Sequence, residues 1–241
     1  MTDLPRYAIY FAAGSDGPLS RFGAELLGYD AYTGNELPFP REALEVAPDW
    51  RDLSADPRKY GFHATLKAPM ALASGRTEAG LIAACATFAG KTRPLPVIRP
   101  VVDAISGFIA VIPAEPVDTL QEFAADCVRD FDLFRSALTA EDRARRKPEK
   151  LSEQQRDYLD RWGYPYVMEE FRFHMTLTGR LDAERRGPIL EMLRARFATL
   201  RIETLEIDRI ALFRQDDARA RFRIIGEWGL ARADLSASSR D

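Results

Sequence analysis

The feature that most constrains this chain is a five-residue pattern that occurs twice. Phe62-His63-Ala64-Thr65-Leu66 and Phe173-His174-Met175-Thr176-Leu177 share Phe-His-x-Thr-Leu and hold both histidines of the 241 residues. His63 and His174 lie 111 residues apart, close to half the chain. Each copy is followed by the same predicted order, a helix and then two strands. Asp103 precedes Ala104-Ile105 in the first copy, and Asp208 precedes Arg209-Ile210 in the second. Self-similarity at a fixed spacing marks a repeated structural unit, so a duplicated α+β lobe is expected. The length of 241 residues suits one large domain or two compact lobes of roughly 110 residues each.

Read as strands, the two pentapeptides divide their residues between two faces. Residues i and i+2 of a strand share a face. His63 and Thr65 therefore point together while Phe62, Ala64 and Leu66 turn toward a core. His174 and Thr176 repeat this against Phe173, Met175 and Leu177. An unperturbed imidazole titrates near pH 6.5, so both of its charge states are accessible close to neutrality. A neutral ring can take a proton from an attacking oxygen, and a protonated one can give a proton to a departing oxygen. Thr65 and Thr176 can donate hydrogen bonds to the nonbridging oxygens of a phosphate held between the rings. Core imidazoles left by an old duplication are the plain alternative, and they explain one copy better than two.

Other uses of histidine fit less well. A metal site needs three or four converging ligands. The chain has no H-x-H or H-x-x-x-H spacing and no Asp or Glu within either pentapeptide, so no metal is expected. Neither G-x-S-x-G, G-x-x-x-x-G-K-[ST] nor G-x-G-x-x-G occurs. Serine hydrolysis, nucleoside-triphosphate and dinucleotide roles thus lack their usual signatures, and no cofactor is expected. Cys85 and Cys127 sit in apolar helical stretches and read as buried thiols.

Acidic residues outnumber basic ones 37 to 34, for a formal net charge of -3. Such a balance disfavours a broad nucleic-acid surface and favours a small substrate in a local basic pocket. No apolar run is long enough to cross a bilayer, so no membrane partner is expected. The start, MTDLPRYAIYFAAG, lacks a basic leader region and reads as a first strand, which makes a cytoplasmic protein the expectation.

Along the chain, residues 6–13 read as a strand and Leu19 to Leu27 as a helix. Residues 28–60, rich in Gly, Pro, Asp and aromatics, read as an irregular or partly helical loop over the body. Thr77 to Gly90 and Leu120 to Phe134 read as helices, with a hairpin around Ser106-Gly107 between them. Asp182 is expected to cap a helix running to Ala198, before two strands joined at Asp216-Asp217. One bilobal domain over 1–230 is expected, with a first lobe at 1–135, a charged connector or flap at 136–168, a second lobe at 169–230 and a flexible tail at 231–241.

Positive charge should hold the phosphate. Lys67, four residues from His63, is expected on the same strand face and is the foremost phosphate-binding candidate. Arg6 and Tyr10 on the first strand, and Arg172 two residues before His174, are groove candidates. Arg143 and Arg146, in the basic run before the second motif, could form a flap, although such runs are usually solvated helix faces. Trp162, Tyr164 and Tyr166 could pack beside a sugar or base, or simply anchor the connector.

These residues resemble the 2H phosphoesterase superfamily, named for two H-x-[ST]-x motifs, which stand here as His63-Ala64-Thr65-Leu66 and His174-Met175-Thr176-Leu177. The blocks RYAIYFAA, YGFHATLKAP, LTAEDRARR, WGYPYV and FRFHMTLTG resemble more closely its DUF1045 branch, associated with phosphonate metabolism. The resemblance spans roughly Arg6 to Trp228. It implies a bilobal, pseudo-twofold α+β fold, with two antiparallel sheets flanking a central groove and helices outside. It also implies metal-independent phosphodiester chemistry, with His63 and His174 as acid and base and Thr65 and Thr176 positioning phosphate. The substrate it implies is a small phosphorylated ribose cyclic phosphate from the carbon–phosphorus lyase route. The alternatives are an RNA or oligonucleotide 2',3'-cyclic phosphate, and a noncatalytic phosphate-binding or partner-binding role.

Overall fold

The structure is a computed structural model, in which residues 5–233 are described. The chain opens with β1 (Arg6–Phe11) and α1 (Pro18–Leu27). It then passes through the short helices α2 (Arg41–Val46), α3 (Trp50–Leu53) and α4 (Ala55–Arg58) to β2 (Ala64–Ala71). The first motif unit continues with α5 (Glu78–Ala89), β3 (Val97–Ile98), β4 (Pro100–Ile105) and β5 (Phe108–Pro113). The helices α6 (Asp118–Phe131), α7 (Ala140–Arg145) and α8 (Glu153–Trp162) lead to β6 (Met175–Thr176). The chain closes with α9 (Ala183–Ala198), β7 (Leu205–Glu206), β8 (Arg209–Gln215) and β9 (Arg223–Gly229).

Local sequence explains the principal boundaries. Thr77 caps α5 by accepting a hydrogen bond from the Gly80 amide at 3.1 Å. Ser152 and Gln155 form a reciprocal capping box at the start of α8. Asp182 occupies the cap position of α9 but accepts no hydrogen bond there through its side chain. The loop at 28–60 is pinned from inside. The indole of Trp50, fully buried, donates to the Leu26 carbonyl at 2.7 Å, and buried Arg58 donates to the Leu27 carbonyl at 2.6 Å.

Seven strands form one antiparallel sheet in the order β4-β5-β6-β2-β1-β8-β9, and β3 pairs with β7 beside it. The α+β class and the outer helices agree with expectation, but the two sheets are joined. Ala64 of β2 pairs with Met175 of β6, so the two motifs lie on adjacent central strands.

The repeat is also interlaced in a way that its linear order hides. The hairpin β4–β5, which follows the first motif, pairs with the strand of the second motif. The hairpin β8–β9, which follows the second motif, pairs with β1 beside the first. The helices cross over likewise, α5 packing on β8 and β9 and α9 on β4. The expected lobes 1–135 and 169–230 are therefore not the spatial halves of the sheet.

The two faces of the sheet bury different sets of residues. Tyr7, Ile9 and Phe11 of β1 join Phe62, Ala64, Leu66, Phe173, Met175 and Leu177 in the main core beneath the helices. Each Ile, Leu, Met or Phe among them contributes about 1.5–3 kcal/mol. Ala8 and Tyr10 turn the other way and pack with Tyr29, Phe213 and Phe222. The alternation read in the two pentapeptides holds, and it sends the histidines and threonines to the face opposite the helices.

The connector at 136–168 is attached to the body. Val167 and Met168 pack on Ala125 and Val128 of α6, Leu159 is fully buried, and Gln155 donates to Glu170 at 2.8 Å. The expected tail divides in two. Residues 231–233 are bound to the end of α5 and the loop after it, with the Ala231 amide donating to the Ala89 carbonyl at 2.8 Å and that of Ala233 to the Arg93 carbonyl at 2.9 Å. Residues 234–241 lie outside the described residues. Among the described residues no helix is long and apolar enough to cross a membrane.

Candidate active site

His63 and His174, with Thr65 and Thr176, line a single cavity of about 360 Å³ on the open face of the central strands. Each ring is held the same way. His63 Nδ1 is 2.9 Å from the Gly61 carbonyl, and His174 Nδ1 is 2.6 Å from the Arg172 carbonyl. A carbonyl can only accept, so each Nδ1 carries the proton and each Nε2 is left with its lone pair. Thr65 Oγ1 lies 3.3 Å from His63 Nε2, where its hydroxyl can donate to that nitrogen until a substrate takes its place.

Gly61 is what allows the first of these grips. It has φ +77, and a Cβ there would lie 2.6 Å from the Cβ of Ala31. Both the left-handed backbone and the close approach exclude a side chain, and the resulting turn aims the Gly61 carbonyl at His63.

The two imidazoles differ in their surroundings. His63 stacks on Tyr10 with 3.8 Å between ring centroids and 22° between planes. Tyr60 and Phe213 flank it at 6.0 and 5.9 Å. Burial among these rings pushes the His63 pKa down to about 4, against the opposing bond to Gly61 and with a smaller push from His174. His174 meets one aromatic neighbour, Phe108 at 5.5 Å, and burial lowers its pKa too, against the bond to Arg172. Both rings are thus neutral near pH 7.

The remaining candidates separate sharply. Arg6, Tyr10 and Arg146 line the cavity with the histidines. Arg146 places its guanidinium 5.0 Å from the Tyr164 ring centroid, so the basic run does reach the groove.

Lys67 does not reach it. Ile9 pairs with Lys67 and Tyr10 with Thr65, so Leu66 is an extra residue in β2. A bulge breaks the alternation and turns the following side chain over. Lys67 is 2% exposed, with Nζ 2.5 Å from Asp132 Oδ1 and 3.3 Å from the Val128 carbonyl. It is a core ion pair, not a phosphate ligand.

Arg143 is also elsewhere. It makes a two-pronged pair with Asp160 at 2.6 and 2.9 Å, tying α7 to α8. Arg172 is exposed and lines a neighbouring recess beyond His174, together with Phe108, Tyr164 and Tyr166. Its carbonyl, not its side chain, touches the catalytic candidate.

Phe108 and Arg180 line the groove without having been picked out by sequence. Arg180 shares the parity of His174 and Thr176, and reading the alternation past Gly179 would have found it. Phe108 comes from the hairpin that crosses to the second motif, and no local pattern carries that information. Thr178, of the same parity, serves the fold: buried, it accepts from the Ile109 amide at 3.0 Å and donates to the Gly179 carbonyl at 2.9 Å. Among the described residues no group of three or more His, Cys, Asp or Glu side chains is assembled to hold a metal ion.

Residues 65–223 match the family model described as Protein of unknown function (DUF1045). The chain is 34% identical over 231 residues to Ribose 1,5-bisphosphate phosphokinase PhnN of Janthinobacterium sp. (strain Marseille), covering 91% of this chain and 49% of that protein. It is 33% identical over 227 residues to the protein of the same name from Laribacter hongkongensis (strain HLHK9), covering 91% and 50%. The chain thus spans about half the length of the curated relatives it matches. It is similar to a solved phosphoesterase at 16% identity, TM-score 0.44, over 95% of this chain and 99% of that one. Against E. coli LigT complexed with 3'-AMP the values are 15%, 0.41, 95% and 99%. The chain belongs to the DUF1045 family.

Proposed function

We propose that this protein is a cyclic phosphodiesterase that opens 5-phosphoribosyl 1,2-cyclic phosphate, within phosphonate metabolism, by two-histidine acid–base catalysis. The observation that carries the reading is the convergence of His63, Thr65, His174 and Thr176 on one cavity. The chemistry asks for no metal ligand, since the nucleophile is water and both proton transfers go to or from imidazole.

The asymmetry of the rings distributes the roles. His63, the more strongly depressed, is the base that takes a proton from water. His174, less enclosed by aromatic rings, is the acid once the bound phosphate anion has raised its pKa. A P–O bond to water oxygen forms, the P–O2 bond of the ring breaks, and His174 delivers its proton to O2. Thr65 and Thr176 hold the nonbridging oxygens during this displacement.

The product of that opening is ribose 1,5-bisphosphate, the compound in the name of the relatives. This chain corresponds to about half of each of them and contains no G-x-x-x-x-G-K-[ST] loop. A nucleotide-dependent kinase step would then sit in the other half, and this half would supply its substrate.

Phosphorus NMR of the protein incubated with 5-phosphoribosyl 1,2-cyclic phosphate tests the proposal. Expected are ring opening to the 1-phosphate and at least about a 100-fold loss of rate in His63→Ala and in His174→Ala. No opening at high protein concentration would remove it.

One observation favours a second reading, an oligonucleotide ending in a 2',3'-cyclic phosphate. The recess beyond His174 is lined by Phe108, Tyr164 and Tyr166, the last 46% exposed, and exposed aromatics suit base stacking. A short RNA ending in a cyclic phosphate, given in the same assay, separates the two.

A further inference from the structure

We infer that a second cavity, sharing a wall with the histidine groove, is an anion subsite that receives the terminal phosphate monoester of the substrate. The inference rests on the cyclic-phosphate reading above and extends it from the reacting phosphorus to the far end of the molecule.

The second cavity has a volume of about 230 Å³ and shares Arg6, Tyr60, Ala68, Pro69 and Arg146 with the histidine groove. A ligand can therefore lie across both without leaving the protein surface. Its lining carries Arg6 and Arg146, which no carboxylate among the described residues pairs, together with Arg135, paired by Asp132, and Arg145, paired by the carboxylate of Asp142. That carboxylate is already engaged, accepting from Arg145 and, at 2.9 Å, from the Thr139 hydroxyl. Excess positive charge in a concave, partly desolvated site selects an anion, and guanidinium groups match the oxygens of a phosphate.

The arginines are placed by the fold and not by a loose loop. Arg6 stands on β1 and donates to the side chain of Gln215 at 2.9 Å. Arg135 is held by Asp132 at 2.8 Å and by the Arg161 carbonyl at 2.9 Å. Gly163, which ends α8 with φ +76, makes room for it, because a Cβ there would lie 2.8 Å from Arg135 Cδ. Arg146 stands between the cavities, over Tyr164. Because Arg6 and Arg146 line both cavities, a furanose whose cyclic phosphate sits between the histidines can turn its C5 substituent toward them, and a phosphate there answers the charge.

Two comparisons test this. First, kcat/KM is measured for ribose 1,2-cyclic phosphate with and without the 5-phosphate. The expected preference for the phosphorylated sugar is at least about 30-fold, about 2 kcal/mol, falling below about threefold in Arg146→Ala and in Ala137→Glu, which adds a carboxylate to the same lining. A wild-type preference below threefold, or one retained in both variants, would overturn the inference. Second, D-ribose 5-phosphate binding is measured by calorimetry, which needs no turnover and so answers even if neither cyclic sugar is opened. Binding should weaken at least tenfold in Arg146→Ala and persist in Thr65→Val. The reverse pattern would place the phosphate between the histidines and reject the subsite.

Discussion

His63 lies face to face with Tyr10, their ring centroids 3.8 Å apart, and this stack joins the first strand of the sheet to the first motif. Tyr10 is 1% exposed, so it brings no water to the imidazole. Burial against this ring, and against Tyr60 and Phe213, pushes the His63 pKa down to about 4.

Replacing that ring should therefore retune the site. In Tyr10→Leu, water reaches His63 and its pKa rises from about 4 toward the ordinary 6.5. The acidic limb of the kcat/KM profile should move up in pH by one unit or more. Because the chain has two histidines, the imidazole region of a nitrogen–proton NMR spectrum should show two titrations and assign the change directly. An unmoved limb with an unmoved His63 titration would rule out the stack as its cause.

The same depression has a sign for stability. An unfolded imidazole titrates near 6.5 and native His63 near 4, so between these values protons bind the unfolded chain preferentially. The His63 contribution is intact above pH 6.5 and is lost as the pH falls toward 4. Thermal unfolding at steps from pH 7 to pH 4.5 should show a shallower decline for His63→Gln than for the wild type. Parallel declines would contradict the shift.

Lys67 separates a structural cation from a catalytic one. Its ammonium is pushed down in pKa by burial, against the pull of Asp132. Lys67→Met removes one partner of a buried pair, but Asp132 keeps Arg135 at 2.8 Å. A loss of about 1–3 kcal/mol is expected, below the full 3–5 for a broken pair, or roughly 2–4 °C of Tm per kcal/mol. KM for the cyclic phosphate should change by less than about twofold. A tenfold rise in KM at unchanged Tm would restore Lys67 to the site.

How much of this was legible in the sequence follows from what kind of signal each residue gives. The period of two was enough to send His63, Thr65, His174 and Thr176 to one face, because a half-buried strand fixes its own alternation. It failed at Lys67, where Leu66 bulges and the alternation breaks. Charge alone did not distinguish Arg146 from Arg143, since only the fold shows that Asp160 takes the latter. The crossing of the two hairpins was invisible to a linear reading, because pairing partners are set by tertiary packing and not by order along the chain. One wall of the aromatic enclosure of His63 follows from that crossing, for Phe213 comes from β8 in the second half, whereas Tyr10 and Tyr60 come from the first.

Gly61 tests how the ring is aimed. Gly61→Ala forces a side chain into a left-handed residue and against Ala31. It should cost more than about 1 kcal/mol of stability and, by moving the carbonyl that holds His63 Nδ1, lower kcat more than it raises KM. Measured kcat and KM in variant and wild type decide this, and a change confined to KM would contradict the positioning role.

In the proposed mechanism two imidazoles from distant motifs act on one phosphorus atom. A crystal structure of the protein with vanadate, which adopts the five-coordinate geometry of the displacement, examines it most directly. Vanadium is expected between the rings, with its oxygens within about 2.6–3.2 Å of both His63 Nε2 and His174 Nε2. Vanadate held by one imidazole alone, or bound away from both, would contradict it.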